Sequence, residues 1–169
     1  FFTADSTHYK AGVSCADCHM PYTRDGAAKY SSHDVHSPLL NAEESCGQCH
    51  TDTEYVVRRV NTIQEQVATT KITTEDAIID AINAIKAAVA AGNADPALLD
   101  QARKLHREAQ YMWDIVSAEN STGFHNPEYA LKILAESTNR ARQAQMLAAQ
   151  SIGDTSLLTT GTYYATPAP

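Results

Sequence analysis

Apolar side chains of helical spacing run in three stretches between Thr51 and Gln150. In the first, Val56, Val60, Ile63 and Val67 recur at steps of four and three, the spacing that lines one face of an α-helix. Two threonine pairs, Thr69–Thr70 and Thr73–Thr74, disturb the phase, after which Ile79, Ile82, Ile85 and Val89 resume it until Ala91–Gly92–Asn93 stops the helix. Asp95–Pro96 starts a second helix, with an N-cap Asp and a Pro at the first helical position. Leu98, Ala102, Leu105, Ala109, Met112 and Val116 then keep a 4-3-4-3-4 rhythm. Asn126–Pro127 repeats the start signal, and Glu128 to Gln150 forms a third, Ala-rich helix ended by Gly153. Asp154 to Pro169 reads as extended coil. The small residues Ala141, Ala144 and Ala148 permit close approach of another helix, from this chain or from a partner copy.

Residues 1–50 show the opposite pattern. Hydrophobic periodicity is weakest there, yet the segment holds all four Cys and five of the seven His. It cannot bury enough apolar surface to offset its ordering entropy, so a metal or cofactor is expected to hold it. The remaining composition, 169 residues with 43% hydrophobic and 20% charged, is that of one ordinary soluble domain. No run approaches the roughly 18 consecutive apolar residues of a spanning helix, and polar Thr3–His8 follows Phe1–Phe2 where a signal peptide would be apolar. The chain has no initiator Met, so it reads as a processed protein or a piece of a longer one. A net charge of −7 argues against nucleic acid and anionic membrane surfaces as partners.

Every Cys falls in one of two motifs, Cys15-Ala16-Asp17-Cys18-His19 and Cys46-Gly47-Gln48-Cys49-His50. Covalent attachment of a c-type haem needs two thiols to form thioethers with two vinyl groups and an adjacent His to reach the iron. Both motifs meet that need. A zinc ribbon would use two C-x-x-C pairs, but its gap is shorter than the 27 residues here and it requires no His after each pair. A redox disulfide would sit in a βαβ context, and no strand-rich pattern flanks either motif. Thioether-bound haem also points to a periplasmic or equivalent compartment.

The second axial ligand decides whether such a haem carries electrons or binds substrate. Met20 follows His19 directly and its tether is too short to reach the opposite face of the same haem. Met112 belongs to an apolar stripe, and Met146 also lies in a helix. Histidine is the better source: His8, His33, His36, His106 and His125 lie outside the motifs, more than two haems can use. His8, His33, His36 and His125 stand at element edges, whereas His106 follows Leu105 inside a helix and reads as an ordinary helix residue.

These residues resemble the C-terminal part of the pentahaem, ammonia-forming cytochrome c nitrite reductases. Val13-Ser14-Cys15-Ala16-Asp17-Cys18-His19-Met20-Pro21 is similar to the family's fourth haem segment and Cys46-Gly47-Gln48-Cys49-His50-Thr51 to its fifth. Ala109-Gln110-Tyr111-Met112-Trp113-Asp114 and His125-Asn126-Pro127-Glu128 resemble segments of the helices that follow the last haem. The resemblance implies that His8 is the distal ligand of the haem on Cys46 and Cys49, and His125 that of the haem on Cys15 and Cys18. With proximal His19 and His50, both haems would be bis-histidine. His33 resembles a ligand that reaches a haem on an earlier part of the polypeptide; His36 has no clear counterpart and is the alternative to His33 if the loop is shifted. The family binds substrate at a haem with proximal lysine from C-x-x-C-K, and no Lys of this chain follows a C-x-x-C.

The expectation is a mostly α multihaem cytochrome c: a dihaem-binding segment with little regular structure over 1–50, a long-helix region over 51–153, and an extended tail over 154–169. The function implied by the resemblance is the electron-transfer and dimerisation portion of a periplasmic nitrite reductase. Its partners would be an upstream haem-bearing part of the same polypeptide, a second copy through the long helices, and a membrane-anchored or soluble cytochrome c donor. The alternative is a self-contained dihaem electron carrier.

Overall fold

In the computed structural model of the chain, residues 3–163 are described. Three helices dominate: α4 spans Thr53–Ala91, α5 Pro96–Ala118 and α6 Pro127–Ile152. Before them lie three short helices, α1 (Thr7–Lys10), α2 (Cys15–His19) and α3 (Ala42–Ser45), and a hairpin of β1 (Tyr22–Asp25) with β2 (Ala28–Ser31). The fold is mostly α, as the sequence predicts.

Helix boundaries follow the capping residues. The carboxylate of Asp52 accepts from the Tyr55 N–H, that of Asp95 from Ala97 and Leu98, and the Asn126 side chain accepts from Tyr129. Pro96 and Pro127 occupy first-turn positions where no N–H is needed. Gly92 and Gly153 close α4 and α6 in the left-handed region. The threonine pairs do not interrupt α4. Thr70, Thr73 and Thr74 hydroxyls donate to the carbonyls of Gln66, Thr69 and Thr70 one turn back, so each is satisfied within the helix. At 39 residues α4 is about 58 Å long.

The core between these helices is built largely from alanine. Ala77, Ala81 and Ile78 of α4 meet Ala109 of α5 and Ala141 and Ala144 of α6. Further along, Ala84 and Ala88 meet Leu99, Ala102 and Ala148. Ile79, Ile82 and Ile85 flank this seam half-buried, and Val89 is exposed, so the most buried line of α4 is one residue out of phase with the isoleucine stripe. Small side chains take the centre because they let the helix backbones approach closely. Ala141, Ala144 and Ala148 are therefore covered within this one chain. A polar seam accompanies them: Thr74 and Thr138 hydroxyls lie 3.0 Å apart, and the buried Ser137 hydroxyl donates to the Ala109 carbonyl at 2.7 Å.

Two parts of the chain differ from the sequence expectation. Residues 1–50 carry regular structure, since β1 and β2 pair antiparallel with Tyr22 opposite Ser31 and Asp25 opposite Ala28. The reason is the two-residue turn Gly26–Ala27, whose first position stands at positive φ and suits glycine. The tail is not simply extended: Thr155–Leu158 forms a 3-10 turn, and the Leu157 and Thr159 carbonyls accept from the Gln145 side chain, both at 2.8 Å. The Tyr163 hydroxyl and the Gly161 N–H donate to the buried Asp80 carboxylate, which also pairs with Arg142. The rest of the predicted tail, residues 164–169, lies outside the described residues.

Near the start of α6, fully buried Leu134 packs with Val67, Val116 and Ala130. Leu134→Ala is expected to destabilise the haem-loaded protein by about 2–5 kcal/mol, read from the midpoint of denaturant unfolding.

Candidate haem-binding site

Each C-x-x-C-H motif folds as one helical turn, which puts its two thiols and its His on one side. In α2 the helix itself does this, since positions three and four apart share a face. The Asp17 carboxylate accepts from the N–H and hydroxyl of Ser14, both at 2.7 Å, fixing the entry to the turn. These two bonds, backbone first, hold the Asp17 carboxyl below its ordinary value. In the second motif the Cys49 and His50 N–H groups both donate to the Cys46 carbonyl, at 3.1 and 2.9 Å. Gly47 lies against α3, where a Cβ would fall 2.2 Å from the Glu43 carbonyl oxygen, so this motif requires glycine after its first Cys.

The two motifs are neighbours. Burial pushes the Cys18 thiol up, and the proximity of Cys46, Asp17, Cys49 and Cys15 adds to it. Thr23 of β1 donates to Glu44 of α3 at 3.1 Å and joins the hairpin to the second motif.

The imidazoles come together in two pairs. His19 and His125 have ring centroids 6.2 Å apart with planes at 64°, and His8 and His50 have centroids 6.4 Å apart at 81°. An imidazole nitrogen lies about 2.0–2.1 Å from a bound metal and the ring centre ~1.1 Å further, so two rings on opposite sides of one ion stand about 6.3 Å apart. Both pairs have that separation. Among the described residues no three His, Cys, Asp or Glu side chains form a group that could hold a metal ion on their own. Two imidazoles placed on opposite sides of one ion fit a metal carried in a planar macrocycle better than a tetrahedral zinc, whose ligands stand at narrower angles.

In the His19–His125 pair the ring nitrogens away from the pairing are also engaged. His19 Nδ1 donates to the His36 carbonyl at 2.9 Å, and His125 Nδ1 lies 2.8 Å from the Glu119 carboxylate. Such bonds fix the tautomer and leave Nε2 as the ligating atom. Burial first, and then the nearby His50, lower the His8 pKa, which keeps that ring neutral and able to ligate. The Phe124 ring lies 5.9 Å from that of His8 and precedes His125 in sequence, so it links the two pairs.

The other histidines lie elsewhere. His33 is exposed, and its Nδ1 donates to the Ser31 carbonyl. His36 contributes its backbone carbonyl to His19, while its own ring turns to Asp34. His106 sits half-buried in α5 with no hydrogen-bond partner at Nε2 among the described residues. Sequence reasoning did not single out Glu119, Phe124 or Gly123. A Glu and a Phe in a loop look solvated until the fold buries them; Gly123 in a Ser-Thr-Gly run was the one available signal of a tight turn.

The profile of the cytochrome c552 family matches residues 1–166. The chain belongs to that family. Among cytochrome c552 relatives, a cytochrome c nitrite reductase subunit NrfA from Nitratidesulfovibrio vulgaris is 41% identical over 157 residues, covering 87% of this chain and 30% of the relative. A cytochrome c-552 from Maridesulfovibrio salexigens is 33% identical over 142 residues, covering 82% of this chain and 28% of its own length. The solved cytochrome c nitrite reductase of Desulfovibrio desulfuricans superposes with a TM-score of 0.86 at 38% identity, over 94% of this chain and 35% of that one. The chain thus spans about a third of the length of these relatives. Cytochromes c carry covalently attached haem, which makes haem c the cofactor of a cytochrome c552 chain with these two motifs. No helix among the described residues is long and apolar enough to cross a membrane.

Gly123 is buried in the turn before α6 at φ +82°, where a Cβ would meet Val67 Cγ2 at 2.7 Å. Gly123→Ala is expected to displace the turn that carries His125 and to lower stability by about 1–3 kcal/mol. Thermal unfolding followed at the haem Soret band checks this.

Proposed function

We propose that the chain is the electron-transfer and dimerisation portion of a periplasmic multihaem cytochrome c nitrite reductase, which reduces nitrite to ammonium with six electrons. Residues 1–50 hold two haems, 51–153 form the supporting helices, and 154–169 a tail. One haem is attached through Cys15 and Cys18, with His19 and His125 as axial ligands. The other is attached through Cys46 and Cys49, with His50 and His8. The observation that carries this reading is the pairing of the four imidazoles at 6.2 and 6.4 Å, each pair uniting one motif His with one remote His.

Bound haem iron supplies one-electron exchange between ferric and ferrous states. The residues of this chain do the rest. Histidine on both axial positions denies nitrite a coordination site, so the pairs restrict these centres to passing electrons. Adjacent motifs keep the path between the two centres short. The Lys-ligated catalytic haem belongs to an upstream part of the polypeptide, and His33 offers an exposed imidazole to a haem bound there. Exposed Tyr9, Tyr22, Tyr30, Val35 and Leu40 around the haem segment support its being covered by that part. Tyr55 and Val89 of α4, Tyr111 of α5 and Met146 of α6, exposed on the long helices, support a homodimer. A membrane-anchored or soluble cytochrome c serves as donor.

Intact-mass analysis of the haem-loaded protein, with peptide mapping, is expected to place one haem on each motif. Cys15→Ala together with Cys18→Ala should remove one and leave the other. A polypeptide mass without haem, or one zinc per chain, would overturn the assignment. Both haems should be low-spin without a methionine–iron charge-transfer band. The gene upstream of Phe1 should encode an in-frame C-x-x-C-K; a signal-peptide cleavage site directly before Phe1 would leave a self-contained carrier.

A further inference from the structure

The two imidazole pairs differ in what supports the remote ring. Glu119 Oε1 lies 2.8 Å from His125 Nδ1 and accepts at the same time from the Ser121 N–H at 2.8 Å. Its Oε2 accepts from the Gly123 N–H, also at 2.8 Å. The side chain is 4% exposed, so it is held in place on every side. The turn around it is closed in turn: the His125 N–H donates to the Ser121 hydroxyl at 2.9 Å, and Gln64 of α4 donates to the Ser121 carbonyl at 2.9 Å. With backbone N–H groups on both oxygens, Glu119 can meet the imidazole only as an acceptor. By contrast, among the described residues the His8 ring meets His50 and Phe124 and no hydrogen-bonding oxygen. His19 donates to a neutral carbonyl.

We propose that Glu119 is a positioning residue for His125, fixing the tautomer that presents Nε2 and making this ring a stronger electron donor than the unsupported His8. The inference rests on His125 being an axial ligand. The Ser121 and Gly123 N–H groups and the His125 ring all converge on this one buried carboxylate. A carboxylate on the far nitrogen raises the basicity of an imidazole ligand and favours the higher oxidation state of its metal. The haem on Cys15 and Cys18 is thereby tuned to a lower potential than its ligands alone would set. Glu119 touches neither substrate nor iron, so its effect appears in potential and spectrum.

The test uses the full-length, haem-loaded protein and a spectroelectrochemical titration, with the haem of interest identified as the one that turns high-spin in His125→Ala. In Glu119→Gln that haem should stay attached and low-spin, and its midpoint should rise. At the wild-type midpoint its ferrous-to-ferric ratio should increase about three- to tenfold, tenfold being 59 mV for one electron. Glu119→Asp, which keeps the charge on a shorter arm, should shift the same haem less. A Glu119→Gln titration superimposable on wild type, or an Asp shift as large as the Gln shift, would overturn the proposal. Should Glu119→Gln fail to assemble, Glu119→Asp decides alone: a rise confined to the His125 haem supports it, and no rise, or an equal rise at the His8 haem, refutes it. If His125→Ala leaves every haem low-spin, the ligand assignment itself has failed, whatever Glu119 does.

Discussion

The structure depends on how closely α4, α5 and α6 approach one another. Alanine at Ala77, Ala81, Ala84 and Ala88 of α4, facing Ala109, Ala141, Ala144 and Ala148, brings the three backbones together along most of their shared length. That approach determines where the turn between α5 and α6 must sit, and Gly123 in that turn has no room for a side chain against Val67. From the same turn emerge Glu119, Phe124 and His125. The N-terminal segment, with little core of its own, is placed against it, and Asn126 anchors the segment by donating to the Ala4 carbonyl at 2.8 Å. A site formed from residues more than a hundred positions apart therefore owes its geometry to helix packing. The haem segment supplies the attachment points and the helical scaffold supplies the opposing face.

Burial and chemistry are divided unevenly between the two halves. The long helices bury small apolar groups and a few satisfied hydroxyls, while most of the ionisable groups that matter to the site lie on short turns whose backbone is otherwise sparsely packed. Such turns are stable only when their polar groups are partnered, and Glu119 partners three donors at once. The acidic anchors at the other end work similarly: Asp80 joins α4 to α6 through Arg142 and holds the tail through Gly161 and Tyr163.

Much of this was legible in the sequence. Asp95–Pro96, Asn126–Pro127, Gly92 and Gly153 marked helix ends because capping chemistry is local and acts through the residues that display it. The two C-x-x-C-H motifs were legible for the same reason, since one helical turn contains all their reactive atoms. The most buried line of α4 was not, because burial there is decided by a facing row of alanines and not by the hydrophobicity of Ile79, Ile82 and Ile85. The hairpin did have a local signal in Gly26, masked by the polar strands on either side. Glu119 had none: a glutamate near a helix end is ordinarily solvated, and only the return of the chain at Ser121 and Gly123 encloses it. The proximity of His8 to His50 and of His19 to His125 likewise exists only in three dimensions.

The hydroxyls within the alanine core carry a consequence of their own. Alanine rows are smooth, and two such helices could slide past each other by a turn, about 5.4 Å, with little change in apolar contact. Thr74 beside Thr138 and Ser137 beneath the Ala109 carbonyl act as index marks against that sliding. A one-turn displacement would part Thr74 from Thr138, which keep their bonds one turn back, and would take the buried Ser137 hydroxyl away from the Ala109 carbonyl, a cost alanine alone could not impose. The axial position of α6, and with it the height at which His125 leaves the bundle, is thus set by small polar groups between the helices.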